Sequence, residues 1–133
     1  MRRGNLFDEA SQRAKERGVP LLVVGAPDHG PTGGYGCGDM TVDIESASTC
    51  PKFYQVDISK TKIPVADNSC VVFCSCVLEY VEDYEAAMRE LQRVSGGDLY
   101  LVSVEPWTLT AFFYPGAKRT VGIDGKCTRV HSQ

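Results

Sequence analysis

The residues best suited to ligand chemistry are carboxylates that close two short predicted strands. Asp43 lies near the end of residues 39–44, and Asp57 near the end of residues 53–58. Open α/β sheets bind ligands outside the carboxyl ends of their strands, where a carboxylate after the second strand can accept both hydroxyls of a ribose. Asp43 is predicted to accept the ribose hydroxyls, and Glu45 is the second choice for this role. The alternative for either aspartate is an ordinary turn or cap.

A glycine-rich segment precedes the first of these carboxylates. The turn Gly25-Ala26-Pro27 follows an apolar strand at residues 21–24, and residues 30–38 hold five glycines and a proline. Glycine costs about 1 kcal/mol and proline about 3 kcal/mol inside a helix, so this connection is predicted to be a loop. Its amide groups could approach a ligand closely. His29 in this loop is the best candidate base by residue type. Residues 46–51 are likewise too short for a good helix.

The later half of the chain supplies the elements that would hold such a site. Residues 70–76 form an unbroken apolar run, which is typical of a strand covered on both faces. Asp83 can cap a helix with apolar positions three or four apart, and Gly96-Gly97 would end it. A further apolar strand is predicted at residues 99–104. At the start of the chain, Asn5 is expected to cap a helix over Leu6–Glu16.

Aromatic residues and a turn signal mark the end of the chain. Trp107 and Phe112–Tyr114 either fill the core or form an exposed apolar surface. An exposed surface of this kind would line a pocket for a ligand or mediate self-association. The Asp124-Gly125 pair between residues 119–123 and 126–130 predicts a hairpin, because both central positions of such a turn need positive φ.

Composition sets the class of protein. The chain has 133 residues, of which 43% are hydrophobic, and we expect a single domain over residues 1–133. The net charge of -3 gives no electrostatic footprint for nucleic acid. No run approaches the ~20 apolar residues of a membrane span, and no signal-peptide core is present at the start. A cytoplasmic protein is therefore expected.

The six cysteines offer no CxxC pair. Cys70, Cys74 and Cys76 would share one face of a strand, whereas a zinc site needs ligands that converge from separate turns. No metal is predicted. We expect the cysteines to act as small buried hydrophobes in a reducing compartment.

An ordered series of segments resembles the second half of a class I S-adenosylmethionine (SAM) dependent methyltransferase, in particular the methyltransferase type 11 group. The series runs through Ile63-Pro64, Asn68-Ser69, the apolar strand, Val77–Val81, Glu90–Val94 and Gly96-Gly97. The resemblance covers roughly residues 21–104. It implies a three-layer, Rossmann-like α/β fold with a mainly parallel sheet in the order 3-2-1-4-5-7-6. It also implies a C-terminal antiparallel hairpin, and the crossover helices would be reduced.

The resemblance further implies SAM as cofactor and a small-molecule methyl acceptor as partner, and it leaves a homo-oligomer open. Asp43 would bind the ribose, Asp57 and Ile58 would lie at the adenine, and Cys74-Ser75 at the methionine end. Tyr80 occupies a position where many relatives carry histidine, so it joins His29 as a candidate catalytic base. The predicted cofactor-binding residues are Gly25, Ala26, Pro27, Asp43, Ile44, Asp57, Ile58, Cys74 and Ser75.

The first motif departs from the family pattern. Val23 stands where relatives carry an acid, Pro27 lies in the turn, and Val71 replaces a common aspartate. These departures keep a second hypothesis open, a non-catalytic module that retains the fold for binding a partner. A nucleotide- or NAD-binding protein is a third, although the glycine-rich loop lacks the Lys-Ser/Thr ending of a phosphate loop and the spacing of a dinucleotide fingerprint.

Overall fold

The computed structural model describes residues 3–27, 35–45, 48–75, 77, 81–102 and 128–130. Two helices and six strands lie in these ranges. In chain order they are α1 (Arg3–Arg17), β1 (Leu21–Val24), β2 (Met40–Asp43), β3 (Phe53–Gln55), β4 (Val71–Ser75), α2 (Tyr84–Ser95), β5 (Leu99–Val102) and β6 (Thr128–Val130). Neither helix has the length and apolar character needed to cross a bilayer.

The six strands form one sheet in the order β3-β2-β1-β4-β5-β6. All neighbouring strands from β3 to β5 are parallel, with Leu21 opposite Val71 in the β1–β4 pair. Strand β6 runs antiparallel to β5. The predicted parallel core and the order of its strands are therefore confirmed. The first strand of the predicted hairpin, residues 119–123, lies outside the described residues.

Alternating side chains divide the core between the two faces of the sheet. Leu21 and Val23 point to the face covered by α1, whereas Leu22 and Val24 point to the face covered by α2. This follows from the strand period of two residues. Helices on both faces make three layers, as the α/β prediction required.

Helix α1 begins at Arg3, so Asn5 lies inside the helix and the predicted start at Leu6 is wrong. The helix buries Leu6 and Ala10 against the sheet. The guanidinium of Arg17 donates to the Asp98 carboxylate at 2.8 Å, and Arg13 donates to the same oxygen at 3.2 Å. These ion pairs join the helix to the turn before β5.

Helix α2 has the predicted ends. The Asp83 side chain accepts from the Ala86 N–H at 3.0 Å, and Gly96 adopts the left-handed conformation that ends the helix. On its buried side, Glu90 accepts the Ile63 N–H at 2.6 Å and pairs with Arg93 at 2.7 Å. The hydrogen bonds from Arg93 hold the pKa of Glu90 below its usual range. The loop before β4 is thereby fixed to the helix.

The connections beside β2 contain no helix at residues 35–39 and 48–52, as predicted. Residue 38 is a glycine because the connection runs against β1, where a Cβ would lie 2.6 Å from the Leu21 carbonyl oxygen. The Asp39 carboxylate accepts the Leu21 N–H at 2.8 Å. Residues 38 and 39 are thus held close against the backbone of β1.

A disulfide joins Cys37 to Cys50 across these two connections, with 5.6 Å between their Cα atoms. The expectation that all the cysteines are reduced is therefore wrong for this pair. Cys70 and Cys74 are buried thiols outside this disulfide, as expected. Burial raises the pKa of the Cys70 thiol to about 11, which leaves it protonated and unreactive at neutral pH.

Candidate functional site

The candidate site lies at the carboxyl ends of β1, β2 and β4, where the chain turns at Gly25. The Gly25 N–H donates to the Val42 carbonyl at 2.9 Å, which fixes the turn to the end of β2. Gly25 has φ of +95°, a conformation that glycine adopts readily. A Cβ at this position would lie 2.6 Å from the Ser75 carbonyl oxygen and 2.9 Å from Val77 Cγ2. The ends of β1 and β4 therefore approach closely only because residue 25 is glycine.

Asp43 ends β2 and binds the same turn through its side chain. Its Oδ2 accepts the Ala26 N–H at 2.8 Å, and its Oδ1 accepts the Glu45 N–H at 3.1 Å. The carboxylate is half-buried. Two predicted cofactor-binding positions, Ala26 in the turn after β1 and Asp43 at the end of β2, are thus in direct contact, and the carboxylate is held in a defined orientation at the edge of the sheet.

Asp57 follows β3 and forms a local turn. Its Oδ1 accepts from both the N–H and the hydroxyl of Ser59, at 3.0 and 2.6 Å. Its carbonyl accepts from the amides of Lys60 and Thr61. The structure thus realises the alternative of a turn-forming aspartate. This does not test the adenine contact, which stays a prediction.

The two predicted isoleucines differ in exposure. Ile44 directly follows Asp43 and is 43% exposed, so it offers apolar surface beside the carboxylate. Ile58 is only 3% exposed and packs in the core on the α2 face. Ile44 is therefore exposed enough to make an apolar contact with a ligand at this edge, whereas Ile58 packs beneath the turn in the core.

The predicted methionine-end positions are buried at the end of β4. Cys74 lies in the core on the α2 face, and Ser75 is 5% exposed with its carbonyl beside Gly25. Ala26 is buried and Pro27 half-buried. Because most of these side chains are buried, the residues present mainly backbone at this edge of the sheet.

A comparison with protein-family models matches residues 40–101 to the methyltransferase domain. The matched segment runs from β2 to β5 and holds α2 together with Asp43, Asp57 and the end of β4. This segment is therefore similar to the methyltransferase domain family. Neither the curated proteins nor the solved structures gave a match.

Strand β1 precedes the matched segment, yet it lies in the middle of the sheet, between β2 and β4. The strand that carries the divergent first motif therefore has the central position in the sheet that the resemblance implied. Val23 is fully buried on the α1 face, in the cluster that contains Leu6 and Phe73. A carboxylate there would be desolvated among apolar side chains, which disfavours an acid at this position.

The candidate bases His29 and Tyr80 lie outside the described residues, and so do the aromatic residues Trp107 and Phe112–Tyr114. Their roles remain predictions. The Cys37–Cys50 disulfide ties the two connections that flank β2.

Sequence reasoning missed Tyr35. Its hydroxyl donates to the Gly25 carbonyl at 2.8 Å, and its ring lies beside Phe73 with 5.0 Å between centroids. A lone aromatic residue within a glycine-rich segment was the available signal, because such a segment has little else to attach it to a core. The contact with Gly25 could not be read from spacing.

Proposed function

We propose that this methyltransferase domain binds SAM at the carboxyl edge of its sheet and transfers the methyl group to a small-molecule acceptor. The observation that carries the proposal is the orientation of Asp43 at the end of β2, in contact with the turn after β1. A carboxylate in this position of an open α/β sheet suits the two hydroxyls of a ribose. The family match over the same strands supports the choice of cofactor.

The residues at the edge fit such a cofactor by their chemistry. Asp43 would accept ribose hydroxyls, and the exposed face of Ile44 would contact the adenine ring. Asp57 has one oxygen engaged by Ser59, while the other makes no hydrogen bond to a described residue and would accept from the adenine amino group. Gly25 lets the ends of β1 and β4 approach each other at this edge because it carries no side chain.

SAM supplies a methyl group on a sulfonium that is already an activated leaving group. The protein therefore contributes mainly by holding donor and acceptor in line. A base is needed only for an acceptor that keeps its proton near neutral pH. We propose His29 and Tyr80 as candidates for that base, with the acceptor left unidentified.

Calorimetric titration with SAM and with its demethylated product tests the proposal. Wild-type protein is expected to bind both ligands. Asp43→Ala should raise the Kd for SAM about 10- to 100-fold, because hydrogen bonds to a charged group contribute roughly 1.5 to 3 kcal/mol. Asp8→Ala removes an exposed carboxylate on α1 and serves as the matched control, with no expected change in Kd.

Folding of each variant is checked by circular dichroism, since Asp43→Ala also deprives the Ala26 N–H of its acceptor. Asp43→Asn provides a second variant of the same shape. Unchanged affinity in a folded Asp43 variant would reject the ribose contact. Failure of the wild-type protein to bind either ligand would reject the cofactor and leave the non-catalytic interaction module as the better hypothesis.

The cytoplasmic location and a homo-oligomer also remain proposals from the sequence. The Cys37–Cys50 disulfide weighs against a permanently reducing compartment, where such bonds are rare. Peptide mapping of the protein isolated from its native cells under non-reducing, thiol-blocked conditions tests the cytoplasmic location. Recovery of the linked peptides would count against the cytoplasm.

A further inference from the structure

The peptide group between Gly25 and Ala26 is held at both of its polar atoms. Its carbonyl oxygen accepts from the Tyr35 hydroxyl at 2.8 Å, and its N–H donates to Asp43 Oδ2, also at 2.8 Å. A trans peptide is planar, with its C=O and N–H directed to opposite sides. The hydroxyl on one side and the carboxylate on the other therefore fix a single orientation of one rigid unit.

This peptide needs such restraint because it follows a glycine. Gly25 has positive φ and no Cβ to limit rotation of the peptide that comes after it. A side chain from residues 35–39, which contain no helix, supplies this restraint.

The aromatic ring of Tyr35, which carries this hydroxyl, is well packed. The ring lies 6.2 Å from that of Phe7 on α1 and 5.0 Å from that of Phe73 on β4, and those two rings meet edge to face at 5.3 Å. The three aromatic rings are tied to a helix and to a central strand. The position of the hydroxyl is therefore set by the core and not by the loop alone.

We propose that Tyr35 is a positioning residue of the cofactor site, which acts through the Gly25–Ala26 peptide to orient the Asp43 carboxylate. The proposal rests on the proposed function, because it assigns Asp43 to the ribose. Without the hydroxyl, the peptide can rotate and the Ala26 N–H no longer holds Oδ2 in one direction. The carboxylate keeps its bond from the Glu45 N–H but loses one of its restraints, so the ligand has to order it further, which weakens binding.

Tyr35→Phe tests this, because it keeps the ring on Phe7 and Phe73 and removes only the hydroxyl. We expect the Kd for SAM to rise about 3- to 10-fold, the effect of one neutral hydrogen bond. Tyr54→Phe removes a hydroxyl from an exposed residue of β3 and should leave the Kd unchanged.

A double-mutant cycle separates positioning from a general structural effect. If Tyr35 acts through Asp43, Tyr35→Phe should have little further effect on Kd in the Asp43→Ala background. Equal effects in both backgrounds would overturn the proposal, because Tyr35 would then act independently of the carboxylate.

Hydrogen exchange of the Ala26 amide, followed by NMR without any ligand, keeps the test independent of the cofactor assignment. Tyr35→Phe should speed this exchange about 3- to 10-fold, in line with the loss of one hydrogen bond. If SAM fails to bind but exchange speeds up, the proposed function fails while the restraint on the peptide stands. Unchanged exchange would overturn the restraint, and an unchanged Kd in a SAM-binding protein would overturn the role in positioning.

Discussion

Removal of the Cys37–Cys50 disulfide should destabilise the protein strongly, because this bond restricts the unfolded chain across the two connections that flank β2. The change is the double substitution Cys37→Ala with Cys50→Ala, which leaves no unpaired partner. The two residues are separated by 13 positions. Closing a loop of this size in the unfolded chain is worth about 3 kcal/mol in the chain-entropy model. For a domain of this length, that loss corresponds to a fall in Tm of about 10 °C.

The assay is urea unfolding and thermal unfolding of four samples, the wild type and the double variant, each with and without reductant. Reductant should lower the free energy of unfolding of the wild type by about the same 3 kcal/mol. It should leave the double variant unchanged, which is the internal control. The buried position of Cys50 adds a small packing loss to the variant alone.

Two results would refute this reasoning. Equal stability of oxidised and reduced wild type would mean that the unfolded chain gains no freedom on reduction, or that the bond does not form. A further loss on reduction of the double variant would place the stabilising disulfide elsewhere. Peptide mapping of the oxidised wild type distinguishes these cases, since it identifies the linked cysteines directly.

Two further predictions concern the loop before β4 and the turn after β1. Glu90→Gln should lower the free energy of unfolding by about 2 kcal/mol at neutral pH, because it removes charge-assisted bonds to Arg93 and to the Ile63 N–H. The Glu90 pKa is lowered from its ordinary value of 4.5, so its contribution is present above pH 4.5 and is lost as the pH falls through the folded pKa. Acid unfolding curves of the wild type should therefore be steeper below that pH than those of the variant, and parallel curves would contradict the assignment. Gly25→Ala should cost about 1 to 3 kcal/mol in chemical unfolding, because a positive φ is combined with a contact of 2.6 Å to the Ser75 carbonyl. Gly18→Ala, with φ of +67° and no atom within 4 Å, is the control for φ alone, and an equal loss in both would remove the steric argument.

The apolar runs by themselves predicted the parallel core of the sheet, whereas the three layers and the strand order were implied by the family resemblance. Apolar runs such as residues 71–75 are long enough to name a buried strand, and the caps Asp83 and Gly96 set the ends of α2 through local backbone chemistry. The position of Asp43 at a strand end also followed from the pattern. The buried strands, the helix caps and the position of Asp43 depend on residues close together in the chain, which is why spacing revealed them.

Tertiary structure alone decided what those residues contact. Neither the pairing of Cys37 with Cys50 nor the bond from Tyr35 to Gly25 is visible in a pattern, because six cysteines allow many pairings and a tyrosine hydroxyl can reach any nearby carbonyl. The start of α1 was misjudged because Asn5 is a good cap by type, although the helix extends to Arg3. Pairings between distant residues are fixed by the packing of the whole sheet, and local sequence preferences do not encode them.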